Sequence, residues 1–171
     1  MQTALAGDAF AGRRARTVRP PLYTPEQRAR RDSTRWTLVQ AILAPLQLLA
    51  CLVSAALIWR FLATGEGAQA ATISVLVKCS LLFAIMVTGA IWEKVVFGQY
   101  LFAPAFLWED VVSMGVIALH AFYLWAWLTG WGDDRARAHI ALVAYAAYGI
   151  NAAQFLLKLR RARLDSAQAA A

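Results

Sequence analysis

The sequence predicts an all-α membrane protein: four transmembrane helices, N and C termini cytoplasmic, with an apolar interfacial segment between helices 2 and 3. Three observations predict it. Sixty per cent of the 171 residues are hydrophobic and only 16% are charged, against about 25% charged in a soluble domain. Mean hydropathy is +0.51, more apolar surface than one small core can hide, so lipid is the better solvent. The third observation is where the charge lies. Of 17 Lys and Arg, eight fall in residues 1–36 and four in residues 158–163. Basic ends that flank apolar runs mark the cytoplasmic side and attract anionic headgroups. They argue against nucleic acid as a partner.

Residues 1–21 are rich in Ala, Gly and Arg and end in "RPP", which disfavours helix, so they read as a disordered basic tail. No apolar run of signal-peptide type precedes Trp36. A membrane domain then covers 22–163, and 164–171 reads as a second disordered tail. In "YTPEQRARRDSTRW", Thr24 can cap a helix with Pro25 in its first turn and Glu26 and Gln27 following. A short interfacial helix over about 25–35 is expected.

Four runs are each near the roughly 20 residues a bilayer requires. They cover about 36–61, 72–92, 107–131 and 138–157. Trp36, Trp59, Trp92, Trp108 and Trp131 fall at their ends, as an aromatic belt would place them. Pro45 predicts a kink in the first. Cys51 and Cys79 lie inside apolar runs and read as buried thiols. The link "EKVVFGQYLFAPAF", 93–106, is too apolar for an ordinary loop. It is expected in the headgroup layer, or as a re-entrant segment shielded by protein.

Ionisable groups in such spans are costly, so each is a functional candidate. Glu93 ends the second span, and Glu109 and Asp110 begin the third. On antiparallel helices they reach one depth and are expected to form a cluster. Several carboxyls in a half-dry site repel one another, and one that keeps its proton is a general acid near neutral pH. The competing reading is plainer: acidic groups in a first turn favour the helix dipole.

On the third helix Glu109, Ser113, Val116 and His120 share a face. His120 lies about 16 Å deeper than Glu109, eleven residues at 1.5 Å each. It suits an axial ligand to a metal tetrapyrrole, a proton relay, or a buried hydrogen-bonded His. Asn151, Gln154 and Lys158 mark one face of the fourth span; Gln40, Gln47 and Ser54 mark one face of the first. These stripes suggest a polar-lined cavity or interhelical hydrogen bonds. Lys78, in the outer part of the second span, is expected to snorkel outward. His120 and His139 lie at unequal depths, which argues against a bis-His haem.

"LYTPEQRARRDSTRWTLVQAILAPLQLL", "FLATGEG", "IMVTGAIWEKVVFGQYLFAPAFLWEDVVSM" and "NAAQFLLKLR" resemble the 3-vinyl bacteriochlorophyllide hydratase family of anoxygenic phototrophs, over about residues 22–163. The resemblance implies a lyase of the bacterial inner membrane, cytoplasmic or intracytoplasmic. Such an enzyme adds water to the C3-vinyl group of a (bacterio)chlorophyllide to give 1-hydroxyethyl, which a dehydrogenase then oxidises. It implies no separate cofactor, since the substrate carries its own Mg. Membrane lipid and other bacteriochlorophyll-biosynthesis enzymes are the expected company. The residue roles come from the chemistry. Glu93, Glu109 and Asp110 would deliver and accept protons. Trp92, Tyr100, Phe102, Phe106 and Trp108 would line a slot for a flat ring. Asn151 and Gln154 would touch substrate, and His120 would ligate its Mg. The alternative is a non-enzymatic pigment carrier or photosynthetic assembly factor.

Overall fold

A computed structural model of the chain describes residues 22–169, with side chains to residue 164. Five helices form there: α1 (Pro25–Ser33), α2 (Arg35–Thr64), α3 (Ala68–Phe97), α4 (Leu107–Thr129) and α5 (Asp134–Ala169). No strand occurs among the described residues. α2 to α5 are each long and apolar enough to cross a membrane, and the chain is a multi-pass membrane protein.

The helices start and stop where local chemistry demands. Thr24 and Gln27 form a reciprocal capping box at α1, with bonds of 2.9 and 3.2 Å. Gly98 ends α3 at φ 88°, a left-handed conformation that glycine adopts without steric cost. α2, α3 and α5 exceed their expected lengths because helix continues past the apolar core at both ends, while α4 stops at Thr129, short of the expected 131. α2 runs unbroken through Pro45 to Thr64, and α3 runs on to Phe97, so the link shrinks to 98–106. α5 continues through residue 164 to Ala169. The basic tail expected over 1–21 lies outside the described residues.

α2 packs along α3, and α4 along α5, as two hairpins. The contacts between the hairpins, including α3 with α4, are sparse. The interior is apolar at Ile58, Val75, Leu82 and Val116, yet it holds a polar layer. Ser54 Oγ bonds Tyr145 Oη at 2.7 Å and Ser74 Oγ at 2.8 Å. Lys78 does not snorkel outward. It is fully buried, its Nζ 3.8 Å above the Tyr148 ring and without a hydrogen-bond partner among the described residues. Its register explains this: Ala71, Val75, Lys78 and Leu82 follow helical spacing on the buried face of α3.

At the carboxylate end, α1 seals the bundle. Tyr23 packs against Phe97 and Phe106 at 5.8 and 6.4 Å between ring centroids. Burial raises the Tyr23 phenol above its ordinary range, against the opposing pull of Arg31, so it sits there as a neutral ring. Trp92 Nε1 donates to Thr37 Oγ1 at 2.9 Å, and Thr37 Oγ1 donates to Arg31 O at 2.6 Å. This chain of bonds ties α1 to α3.

Candidate active site

α3 ends and α4 begins on either side of the turn 98–106, which brings Glu93 against Asp110. Both are buried, 6% and 4% exposed. Each is held by the backbone of the turn: Ala103 N donates to Glu93 Oε2 at 3.3 Å, and Phe102 N to Asp110 Oδ2 at 2.7 Å. The two carboxyls thus converge on adjacent amides of one turn. Ionised carboxylates only accept and repel one another, so close approach favours one proton on the pair.

Glu109, beside Asp110 in sequence, takes a different partner. It turns to α5, where Lys158 Nζ donates to its Oε2. The three acids therefore divide into a carboxyl–carboxyl pair and an ion pair. The same division extends inward. Ser113 Oγ donates to Glu109 O at 2.8 Å, and Asn151 Nδ2 donates to Ser113 Oγ at 2.8 Å. Asn151 Oδ1 and Gln154 Oε1 are buried with no hydrogen-bond partner among the described residues.

The five expected ring-binding aromatics do not form one slot. Phe106 is buried and touches Trp92 edge-on at 5.8 Å and Phe155 face-on at 5.9 Å. With Tyr23 and Phe97 these rings make a solid aromatic plug. Tyr100, Phe102 and Trp108 face outward instead, exposed on the turn and on the first turn of α4. The pattern separates because Phe106 precedes α4 on its inner side, while position 108 falls on the outer face.

Phe102 adopts φ 61°, a region that costs a non-glycine residue about 1–2 kcal/mol. Phe102→Gly is therefore expected to hold stability or raise it by about 1 kcal/mol. Phe102→Val should lower it by a similar amount, because a β-branched residue is a genuine outlier there. Thermal unfolding in detergent checks both.

His120 lies on the predicted face of α4 with Glu109, Ser113 and Val116, and all four are buried. Its Nδ1 bonds Val116 O at 2.8 Å. A carbonyl can only accept, so Nδ1 carries the proton and Nε2 presents a lone pair. That lone pair is buried and has no partner among the described residues; the ring lies beside Tyr145 at 5.9 Å. Among the described residues no three of His, Cys, Asp and Glu gather to hold a metal ion.

A protein-family model described as 2-vinyl bacteriochlorophyllide hydratase matches residues 23–161. The chain belongs to that family. It is 70% identical over 149 residues to the 2-vinyl bacteriochlorophyllide hydratase of Rhodobacter capsulatus, covering 87% of this chain and 86% of the relative. It is 69% identical over 144 residues to the protein of the same description from Cereibacter sphaeroides, covering 84% and 89%. No solved structure matches. The family's 2-vinyl and the 3-vinyl of the sequence resemblance name one substituent under two ring-numbering conventions. Membership in a hydratase family makes the chain a hydro-lyase, and the carrier and assembly-factor alternatives are set aside. A hydratase must give one proton to an alkene and take one from water. Tyr145 was not singled out as a site neighbour from sequence, because a tyrosine in an apolar span looks like packing.

Proposed function

We propose that Glu93 and Asp110 are the proton-exchange centre with which this hydratase adds water to the C3-vinyl group of a (bacterio)chlorophyllide, carrying it to 1-hydroxyethyl in bacteriochlorophyll biosynthesis. One observation supports the reading above others: two carboxyls from neighbouring helices converge on adjacent amides of one turn, out of bulk water, where one can hold a proton and the other accept one. The protonated carboxyl gives its proton to the terminal vinyl carbon, and the π bond breaks. A cation forms on the inner carbon and spreads into the macrocycle, stabilised by the carboxylate just formed. The oxygen of water bonds to that carbon, and its surplus proton returns to the pair. Atoms balance with one water consumed, and the pair ends as it began.

For the vinyl group to reach the pair, the turn 98–106 has to release it, since Phe102 N and Ala103 N occupy both carboxyls. Tyr100, Phe102 and Trp108 are exposed beside that turn and offer faces for the macrocycle to stack on. His120 is left to the bundle interior. It lies ten residues beyond Asp110, about 15 Å along α4. A vinyl group on the rim of a macrocycle whose Mg sat at His120 would fall short of the carboxyls. His120→Ala is accordingly expected to leave affinity for the Mg pigment unchanged.

The basic residues of α1 and of the end of α5 favour a cytoplasmic position for this end of the bundle. That puts the turn 98–106 at the cytoplasmic interface of the inner membrane, in contact with lipid headgroups. Single-cysteine labelling in intact cells tests the orientation. A membrane-impermeant reagent should modify a Cys at 133 and spare one at 165; the reverse pattern would invert the topology. The reaction itself is tested by incubating purified protein with 3-vinyl bacteriochlorophyllide and reading the mass gain of one water.

A further inference from the structure

Hydration needs a water aimed at the inner vinyl carbon as well as a proton source. We propose that Asn151 positions that water, accepting one of its hydrogens at Oδ1, with Gln154 Oε1 lining the same accepting face. The inference rests on Glu93–Asp110 as the proton-exchange centre.

Donor counting fixes the orientation of the Asn151 amide. Ser113 Oγ spends its one hydrogen on Glu109 O at 2.8 Å. It can only accept from Asn151, so the group 2.8 Å away must be Nδ2. Oδ1 then faces the other way. It is buried, on a residue 8% exposed, with no donor among the described residues. Gln154 follows three positions on, one turn along α5, and its Oε1 is buried and unpartnered too. A buried acceptor left without a donor costs about 1–3 kcal/mol. Two such acceptors on one face lack the same thing, a neutral donor. A cation would gain no counter-charge from amides, and an apolar group would leave both unsatisfied. Water supplies hydrogens without charge.

The place suits the chemistry. Ser113, the partner of Asn151, is three residues beyond Asp110 on α4 and on its buried side, so the amide layer lies one turn below the pair. A water held there keeps one hydrogen on the amide oxygen, which becomes the product hydroxyl. It directs its other hydrogen to the vacated carboxylate and its lone pair to the cation.

Deuterium partitioning in D2O tests this with the full-length protein and 3-vinyl bacteriochlorophyllide. Deuteron delivery makes a CH2D cation. If water captures it, the product is deuterated hydroxyethyl. If not, a proton is lost back to the pair and deuterated vinyl substrate is recovered. Mass spectrometry gives the ratio of exchanged substrate to hydrated product, and a ratio counts only folded, active molecules. Asn151→Leu is expected to raise that ratio by about tenfold, the scale of one lost hydrogen bond. Gln154→Leu and Ser113→Ala, which removes the acceptor that orients the amide, should raise it less. A ratio within about twofold of the unsubstituted protein's in the variants that fold, any one of them sufficing, overturns the proposal. Glu93→Gln should abolish exchange and hydration together. Exchange surviving there would refute the carboxyl pair instead, whatever Asn151 does.

Discussion

Glu93→Gln is expected to lower turnover by about 10²–10⁴-fold, the range a general acid–base group contributes, in a protein that still inserts and binds pigment. The substitution is mild in structural terms. Gln keeps an oxygen for the Ala103 amide and gains a hydrogen to donate to Asp110, so the turn 98–106 keeps both of its ties. What disappears is the transferable proton. Asp110→Asn should cost as much by the same logic, since Asn still accepts from Phe102 N. The measurement is single-turnover hydration alongside pigment binding by absorbance. Turnover within about threefold of the original in both variants, far below that range, would make the pair a structural latch for the turn.

Lys158→Met is expected to destabilise the protein by about 3 kcal/mol, the lower end for breaking a buried ion pair, because the Lys158 side chain is 24% exposed and that of Glu109 11%. The loss is the cost of stranding the Glu109 carboxylate. Adding Glu109→Gln to Lys158→Met should recover most of it, as a neutral pair leaves no charge unmatched. Glu109→Gln alone should reduce turnover by less than about tenfold, below the range of a group that transfers protons. Thermal unfolding in detergent and hydration rates on the same three variants separate the roles. If Glu109→Gln matched Glu93→Gln in lost turnover, the ion pair would belong to the chemistry.

The membrane spans were legible in the sequence because composition alone reports a lipid-facing helix. The α4 face was legible too: Glu109, Ser113, Val116 and His120 follow helical spacing, and all are buried. Pairing among the acids was not. Glu109 and Asp110 are adjacent in sequence, so they leave α4 about 100° apart. Only the position of α5, which brings Lys158 alongside, decides which of them meets Glu93. The aromatic residues misled for a related reason. A Trp or Tyr near a span end reads the same whether it faces lipid, as Trp108 does, or closes the interior, as Tyr23 does. Lys78 was misplaced because long cations are presumed to reach for water, whereas spacing along α3 put it on the inner face.

The two hairpins, α2 with α3 and α4 with α5, share few contacts, and the polar ones are scattered, Ser54 to Tyr145 at one depth and Glu93 facing Asp110 at another. A bundle built this way is expected to yield first between the hairpins. A flat pigment dissolved in lipid can then part the hairpins edge-on without crossing water. The quantity that sets occupancy is therefore pigment per unit area of bilayer, not pigment per volume of buffer. Diluting the membranes with plain lipid should slow the reaction at fixed bulk concentration of enzyme and pigment, as a two-dimensional encounter requires.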